Sequence, residues 1–316
     1  MNAIRFCTRA MTVTLLAITA SLSSARAAAP APVPDGYRSA FATVDGLRLH
    51  YVIGGRGTPL LLIHGWGSTW YMWRKVMPAL AQQHTTIVVD LPGFGESDVP
   101  TAGFDKATTA MRVHALMKAI GVESANVVGH DIGVMVAFAY ANEFPRETRT
   151  LTLVEAPIPD TSVFQAPALT AQGPYLWNFG FFATPVMPEF LTRGREQAFL
   201  ERFVRDRTVN QEAFTAADFN EYGRSYGDPA RMSASFNYFR TFNQDVAQTA
   251  IYAKHKLNLP VLAIGAAGSL GEHVPEQVRQ YATNVEGHVV DQSGHWVPEE
   301  RPDTLLKLLE PFLKSH

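Results

Sequence analysis

Three short stretches hold residues whose types and order suit nucleophilic chemistry. The strand-like Asn126-Val127-Val128 runs into Gly129-His130-Asp131-Ile132-Gly133, and an apolar helical stretch follows. Small residues two before and two after the central one let a strand turn sharply into a helix, lifting the central side chain, Asp131, above a sheet. Alone the pattern is ambiguous, because an aspartate at such a turn also reads as a helix N-cap. A second strand ends at Ile63 and continues His64-Gly65-Trp66-Gly67, which offers the Trp66 amide beside that of Ile132 as an oxyanion hole. Near the C-terminus, Ser293-Gly294-His295-Trp296 follows the Val289-Val290 strand and supplies a general base after the nucleophile in chain order.

The acid that would orient His295 has two candidate places. The loop after Val261–Ile264 reads Gly265-Ala266-Ala267-Gly268-Ser269 and holds no acid; Glu272 lies beyond the turn. The strand Leu151–Val154 ends directly in Glu155-Ala156-Pro157, which puts Glu155 on the same sheet edge as Asp131. Glu155 is therefore the expected acid. His64 and His130 adjoin the motifs and read as structural, while His84, His114, His255, His273 and His288 sit in ordinary loop or helix contexts.

A carboxylate nucleophile selects the electrophile. Serine displacing a group from saturated carbon would end as an inert ether. A carboxylate gives an alkyl ester, which water activated by a histidine can cleave while backbone amides hold the oxyanion. The residues point to opening of an epoxide or displacement of a halide, and away from esterase or lipase chemistry.

The elements that must position these residues are legible as alternation. β-rich runs at Ala40–Val44, Leu47–Ile53, Leu60–Ile63, Thr86–Val89, Ala125–Val128 and Thr150–Val154 give way to helical stretches near Tyr71–Ala81, Lys106–Ile120 and Gly133–Asn142. From about Pro157 to Tyr252 strand signals vanish, and aromatic residues crowd into helix-like Tyr175–Phe182, Gln197–Phe203 and Ser233–Phe242. Alternation resumes with Val261–Ile264, Glu276–Tyr281, Gly287–Val290 and Thr304–Leu313. The expected architecture is α/β: a mostly parallel sheet with flanking helices, formed by 36–157 and 250–316, with an inserted helical cap at 158–249. An Ala/Pro-rich linker at 28–35 precedes it.

Residues 1–27 read as an export leader. Arg5 and Arg9 make a positive start, Met11 to Leu22 an apolar run too short to span a bilayer, and Ala25-Arg26-Ala27 a cleavage site. Cleavage of the 316-residue chain would leave 289 residues, 24 basic against 29 acidic, without the one cysteine, Cys7. Such a chain has nothing to mispair in an oxidising compartment, so a periplasmic or secreted location is expected. The full chain's net charge of −2, without a basic run, argues against nucleic acid or an anionic membrane as partner, and no stable membrane anchor is expected. A single cysteine and no HExxH pair give no reason to expect a metal, and no cofactor is expected.

With these residues in place, the chain resembles the epoxide hydrolase and dehalogenase branch of the α/β-hydrolases, and most of all the Cif-like secreted bacterial epoxide hydrolases. The resemblance extends over nearly the whole mature chain. It includes His130-Asp131-Ile132-Gly133, Glu155-Ala156-Pro157-Ile158-Pro159-Asp160, Thr170-Ala171-Gln172-Gly173, Ser233-Ala234-Ser235-Phe236, Val285-Glu286-Gly287-His288 and Gly294-His295-Trp296. It implies Asp131 as nucleophile, His295 as base and Glu155 as its acid. It also implies a cap His/Tyr or Tyr/Tyr pair that protonates the opening ring, and here the chain departs. The histidine's place after Trp177 is Asn178, and the tyrosine's place before Arg240 is Phe239, with Tyr238 adjacent. The leaving-group pocket is therefore expected from Trp177, Asn178, Tyr238 and Phe239, with Tyr175, Tyr222 and Tyr226 as replacement donors. The halide-binding tryptophan of many dehalogenases is Ile132 here, and the arginine that fluoroacetate dehalogenases place there is absent. The expectation is an exported hydrolase acting on a small apolar epoxide. A haloalkane or haloacid dehalogenase is the alternative, and a secreted effector or binding protein with a residual site the second. Whether the chain forms a homodimer stays open.

Overall fold

The computed structural model describes residues 29–166, 169–170, 173–174 and 176–316. The leader read at 1–27, with its cleavage site and Cys7, lies outside the described residues, as does Tyr175.

An eight-stranded sheet forms the centre. Its strands are β1 (Tyr37–Val44), β2 (Leu47–Gly55), β3 (Thr58–Ile63), β4 (His84–Val89), β5 (Ala125–His130), β6 (Thr148–Val154), β9 (Leu257–Ala266) and β10 (Ala282–Val290), in the order β1-β2-β4-β3-β5-β6-β9-β10. β1 and β2 run antiparallel to their neighbours, and every later pairing is parallel. β5 is buried at every position and β3 over its last four, which is why they read as continuous apolar runs rather than alternating ones. The register pairs Ile63 with Gly129, His130 with Val154, and Val154 with Ile264. The next residue of each strand therefore emerges at one level along the C-terminal edge.

The flanking helices include α1 (Met77–Leu80), α2 (Lys106–Ala119), α3 (Ile132–Glu143), α11 (His273–Tyr281), α12 (Val297–Glu300) and α13 (Pro302–Ser315). Between β6 and β9 the chain forms α4 (Thr161–Gln165), α5 (Trp177–Ala183), α6 (Met187–Thr192), α7 (Glu196–Asp206), α8 (Ala216–Tyr226), α9 (Pro229–Arg240) and α10 (Phe242–Tyr252). These helices form a cap joined to the sheet by aromatic packing and buried ion pairs. The Trp66 ring lies 4.5 Å from that of Phe182 and 4.6 Å from that of Phe203, and its indole N–H donates to Ser235 Oγ at 2.9 Å. Lys106 on α2 meets Asp245 on α10 at 2.6 Å, both buried. Among the described residues no helix is long and apolar enough to cross a membrane.

Three elements differ from the sequence expectation. Residues 71–81 are not one helix but a 3₁₀ turn, Trp70–Trp73, followed by the single turn α1. Pro78 has no N–H to return to the Arg74 carbonyl, so a helix cannot run through. The helix expected across Ser233–Phe242 breaks at Thr241, because Lys106 Nζ takes the Tyr238 carbonyl that the next turn would have used. A two-rung antiparallel ladder, β7 (Leu169–Thr170) with β8 (Gly173–Pro174), stands in the insertion where no strand was expected.

Candidate active site

Asp131 stands immediately after β5 with φ at +52°, a conformation that costs a non-glycine residue energy and recurs at functional sites. The motif glycines permit it by close packing. A Cβ on Gly133 would fall 2.3 Å from the Ile63 carbonyl oxygen, and one on Gly65 2.3 Å from Asp131 Cβ. Asp131 makes no side-chain capping bond to α3, so the N-cap reading does not describe its role. Instead Oδ1 accepts the Trp66 N–H at 2.7 Å. Oδ2 lies 3.4 Å from His295 Nε2. Burial pushes the Asp131 pKa up, but the hydrogen bond and charge of His295 and the backbone donors outweigh it and hold the group below the usual carboxylate range.

His295 is fixed through its backbone. Its N–H donates to the Arg207 carbonyl at 2.9 Å, and its own carbonyl accepts His130 Nε2–H at 2.8 Å. Complete burial pushes the His130 pKa down to about 3, with the nearby His295 charge adding to the shift, so the ring is neutral. Glu300 holds both sides of the loop: it accepts Gly294 N–H at 3.0 Å and Trp296 N–H at 3.1 Å, and in the cap Val209 N–H at 2.8 Å and Asn210 N–H at 2.9 Å.

Glu155 follows β6 with φ at +56° and is fully buried. Its carboxylate accepts the N–H groups of Ala266 and, at 2.9 Å, Leu270. Burial raises its pKa to about 7, opposed chiefly by the charge of His295. Its coupling to His295 is thus through space, with its oxygens occupied by the β9–α11 loop. Glu272 is exposed at the start of α11, away from the cavity.

A cavity of about 450 Å³ connects these groups. Trp66, Asp131, Glu155 and His295 line it from the sheet side, and Trp177, Asn178, Phe203, Arg207 and Phe239 from the cap. Tyr238 does not reach it, which corrects the expected pocket. Its ring is buried against Phe94 and Phe104, and its hydroxyl donates to the Pro92 carbonyl at 2.9 Å. One residue along a helix turns a side chain by about 100°, so Phe239 and Tyr238 cannot both face the cavity. Tyr222 donates to Glu299 Oε1 at 2.6 Å and Tyr226 to the Ser68 carbonyl at 3.2 Å, so neither is a replacement donor. Sequence reading missed Arg207. In Phe203-Val204-Arg205-Asp206-Arg207 it looks like one charge among several on a solvated helix end, and nothing local marks it as inward.

A second alignment, Ser39 Oγ to His50 Nε2 at 2.7 Å and His50 Nδ1 to Asp90 Oδ2 at 2.7 Å, borders a separate hollow. The neighbouring amides of Trp70 and Glu96 already donate to Asp90, and that of Gly95 to Ser225. These three amides are therefore committed, and the hydrogen-bonded series pins β2 to the loop after β4. Among the described residues no group of three or more His, Cys, Asp or Glu side chains is placed to hold a metal ion.

The chain belongs to the α/β-hydrolase fold family, whose pattern matches residues 58–302. It is a hydrolase of the epoxide hydrolase branch, with Cif-like closeness. The soluble epoxide hydrolase of Corynebacterium sp. (strain C12) is 34% identical over 280 residues, covering 86% of this chain and 96% of that protein. Among solved structures, Cfl2 from Burkholderia cenocepacia superposes with a TM-score of 0.83 at 34% identity, covering 88% of this chain and 96% of the other. The Cif epoxide hydrolase from Acinetobacter nosocomialis gives 0.85 at 28% identity, covering 89% and 90%.

Proposed function

We propose that the protein is an exported epoxide hydrolase working through a covalent ester on Asp131. The observation that carries this reading is the division of labour on one carboxylate. Oδ1 is held by the Trp66 amide at 2.7 Å while Oδ2 faces His295 at 3.4 Å. Oδ2 attacks a ring carbon from behind the C–O bond, whose electron pair leaves with the ring oxygen. The ester carbonyl oxygen is then Oδ1, already in the donors that stabilise it when water adds. His295 removes a proton from that water, and the negative charge of Glu155 stabilises the imidazolium. Collapse of the tetrahedral adduct returns Asp131 and releases a diol.

The small, aromatic-lined cavity suits an apolar substrate. Export is supported by the Arg5/Arg9 start, the short apolar run and Ala25-Arg26-Ala27; N-terminal sequencing of exported material should begin at Ala28. Displacement of halide by the same carboxylate is the second reading, favoured by one observation: neither Asn178 nor Phe239, both lining the cavity, has a proton acidic enough to give to an alkoxide. A small panel of alkyl epoxides and alkyl halides separates the two. Diol without halide release is expected, and halide release alone would replace the epoxide assignment.

A further inference from the structure

Arg207 follows α7 and lines the cavity of Asp131 and His295, yet no carboxylate pairs with its side chain among the described residues. The charges that act on it are Asp131 and Asp206, and Asp206 is held by Arg202 at 2.8 Å. Asp131 is therefore the main counter-charge acting on Arg207, across the cavity and without a direct ion pair. The guanidinium is stacked 3.7 Å from the centre of the Phe203 ring and 5.4 Å from that of Trp177, so its plane is fixed. One arm, Nη2, donates to Asn178 Oδ1 at 3.1 Å. A guanidinium only donates, so the Asn178 oxygen must face it, and among the described residues the amide N–H groups have no protein acceptor, in a residue that lines the cavity.

Arg202 and Asp206 also line this end of the cavity but pair with each other at 2.8 Å, so the groups it leaves uncommitted are the Arg207 guanidinium and the Asn178 amide N–H groups. We infer that Arg207, with the Asn178 amide, receives the leaving atom, and that the substrate is a neutral electrophile. The inference rests on the covalent reading of Asp131. Displacement moves one negative charge from Asp131 to the departing oxygen. A cation fixed on the cap side is attracted to that charge more strongly as it arrives, which lowers the barrier and does not merely tighten binding. A substrate carboxylate would instead add another anion to a cavity where Asp131 and Glu155 already face one unpaired cation.

The step balances without a protein acid. The C–O pair leaves as an alkoxide held by Arg207 and Asn178, which takes a proton from solvent water. The hydroxide so formed is neutralised by the proton that His295 removes from the water attacking the ester. The sum is epoxide plus one water to diol. Burial lowers the Arg207 pKa to about 10, and Asp131 opposes the shift; the group remains charged at neutral pH.

The test measures ester formation alone, by quenched intact-mass kinetics in a His295→Gln background that blocks the second step. With a neutral alkyl epoxide, adding Arg207→Met should slow adduct formation by about 10²–10³-fold, the usual loss for one oxyanion donor. Methionine keeps an aliphatic stem against Phe203, and Arg207→Lys should fall between the two. Millimolar guanidinium should restore part of the Met variant's rate, which a merely structural loss would not allow. An alkylation rate in Arg207→Met equal to that of the background would overturn the inference. So would a loss confined to an epoxide bearing a carboxylate, because Arg207 would then be holding a substrate anion. No adduct in the His295→Gln background itself would remove the Asp131 reading on which the inference stands.

Discussion

Asp131 and Glu155 stand one residue beyond a paired position of two adjacent parallel strands, His130 with Val154, and both turn into left-handed backbone, at φ +52° and +56°. Asp131 N–H reaches the Val154 carbonyl at 3.3 Å, and Glu155 N–H reaches that of Ile264 at 2.8 Å. Each strand end thus hangs on the next one in the sheet. The same turn delivers a carboxylate to the cavity twice, once beside the Trp66 and Ile132 amides and once behind His295. Strain of roughly 1–3 kcal/mol at each residue is tolerated because the neighbouring strands over-determine the conformation.

Asp131→Ser should abolish turnover of the epoxide without creating a good esterase. Serine attack on saturated carbon ends in an ether that His295 cannot clear. Product assays and intact mass on the same sample check both halves of the statement.

Gly65→Ala should damage the chemistry more than the fold. Its Cβ would sit 2.3 Å from Asp131 Cβ and 2.7 Å from Oδ1, so the carboxylate must leave its donors. Ester formation should fall by about 10²-fold, the scale of a small misplacement of reacting groups. Circular dichroism should be unchanged; an unaltered alkylation rate would show that the Trp66 amide does not position Asp131.

Ester hydrolysis should rise with pH through about 7. Burial sets the Glu155 pKa there, and only its ionised form stabilises the His295 imidazolium. Glu155→Gln should slow this step by about 10³–10⁴ and flatten the limb, while Glu272→Gln should leave it unchanged. The stability sign is opposite. Because the folded pKa is raised, the stabilisation from neutral Glu155 is present below the ordinary carboxylate range and is lost as pH rises through about 7. The Tm of Glu155→Gln relative to the parent should therefore climb over that interval. The reverse ranking of the two variants would move the acid to the later loop.

Glu299→Ala should destabilise the protein by about 3–5 kcal/mol, because it strands buried charge. Glu299 receives Arg74, Lys75 at 3.0 Å and the Tyr222 hydroxyl at 2.6 Å, and Arg74 also holds Asp218 of α8 at 2.7 Å. The contact is a rivet between cap and sheet. Glu123→Ala, which frees only the exposed Lys118, should leave the midpoint of denaturant unfolding where it was.

Phe239→Tyr should raise turnover of epoxides and not of alkyl halides. The ring lines the cavity, and a hydroxyl there would give the alkoxide a proton that a halide does not need. A gain of about 10²-fold is expected for a positioned acid. Equal gains on both substrates would mean that the leaving atom lies elsewhere.

The sheet, and the meeting of Asp131, His295 and Glu155 at one cavity, were legible because each rests on local pattern. Apolar runs mark strands buried on both faces, and Gly129, Gly133 and Gly65 mark backbones packed too closely for any Cβ. Glu155 was found by its place at a strand end. The cap was less legible because its arrangement depends on distant partners. Lys106, far away in sequence, breaks the helix after Arg240 by taking the Tyr238 carbonyl. Arg207 is turned inward by Phe203, Trp177 and Asn178, none of which its own sequence neighbourhood would nominate as a set. The choice between Tyr238 and Phe239 as the cavity-facing ring likewise turned on how α9 is rotated, which sequence alone did not decide.

The central claim is that the oxygen added to the first product molecule comes from Asp131. A single turnover with enzyme in excess, run in water labelled with oxygen-18, tests it directly. The account predicts an unlabelled diol oxygen in that first turnover and one oxygen-18 in the peptide containing Asp131. Label in the first diol, with none in Asp131, would show that water attacks the ring itself and would contradict the account.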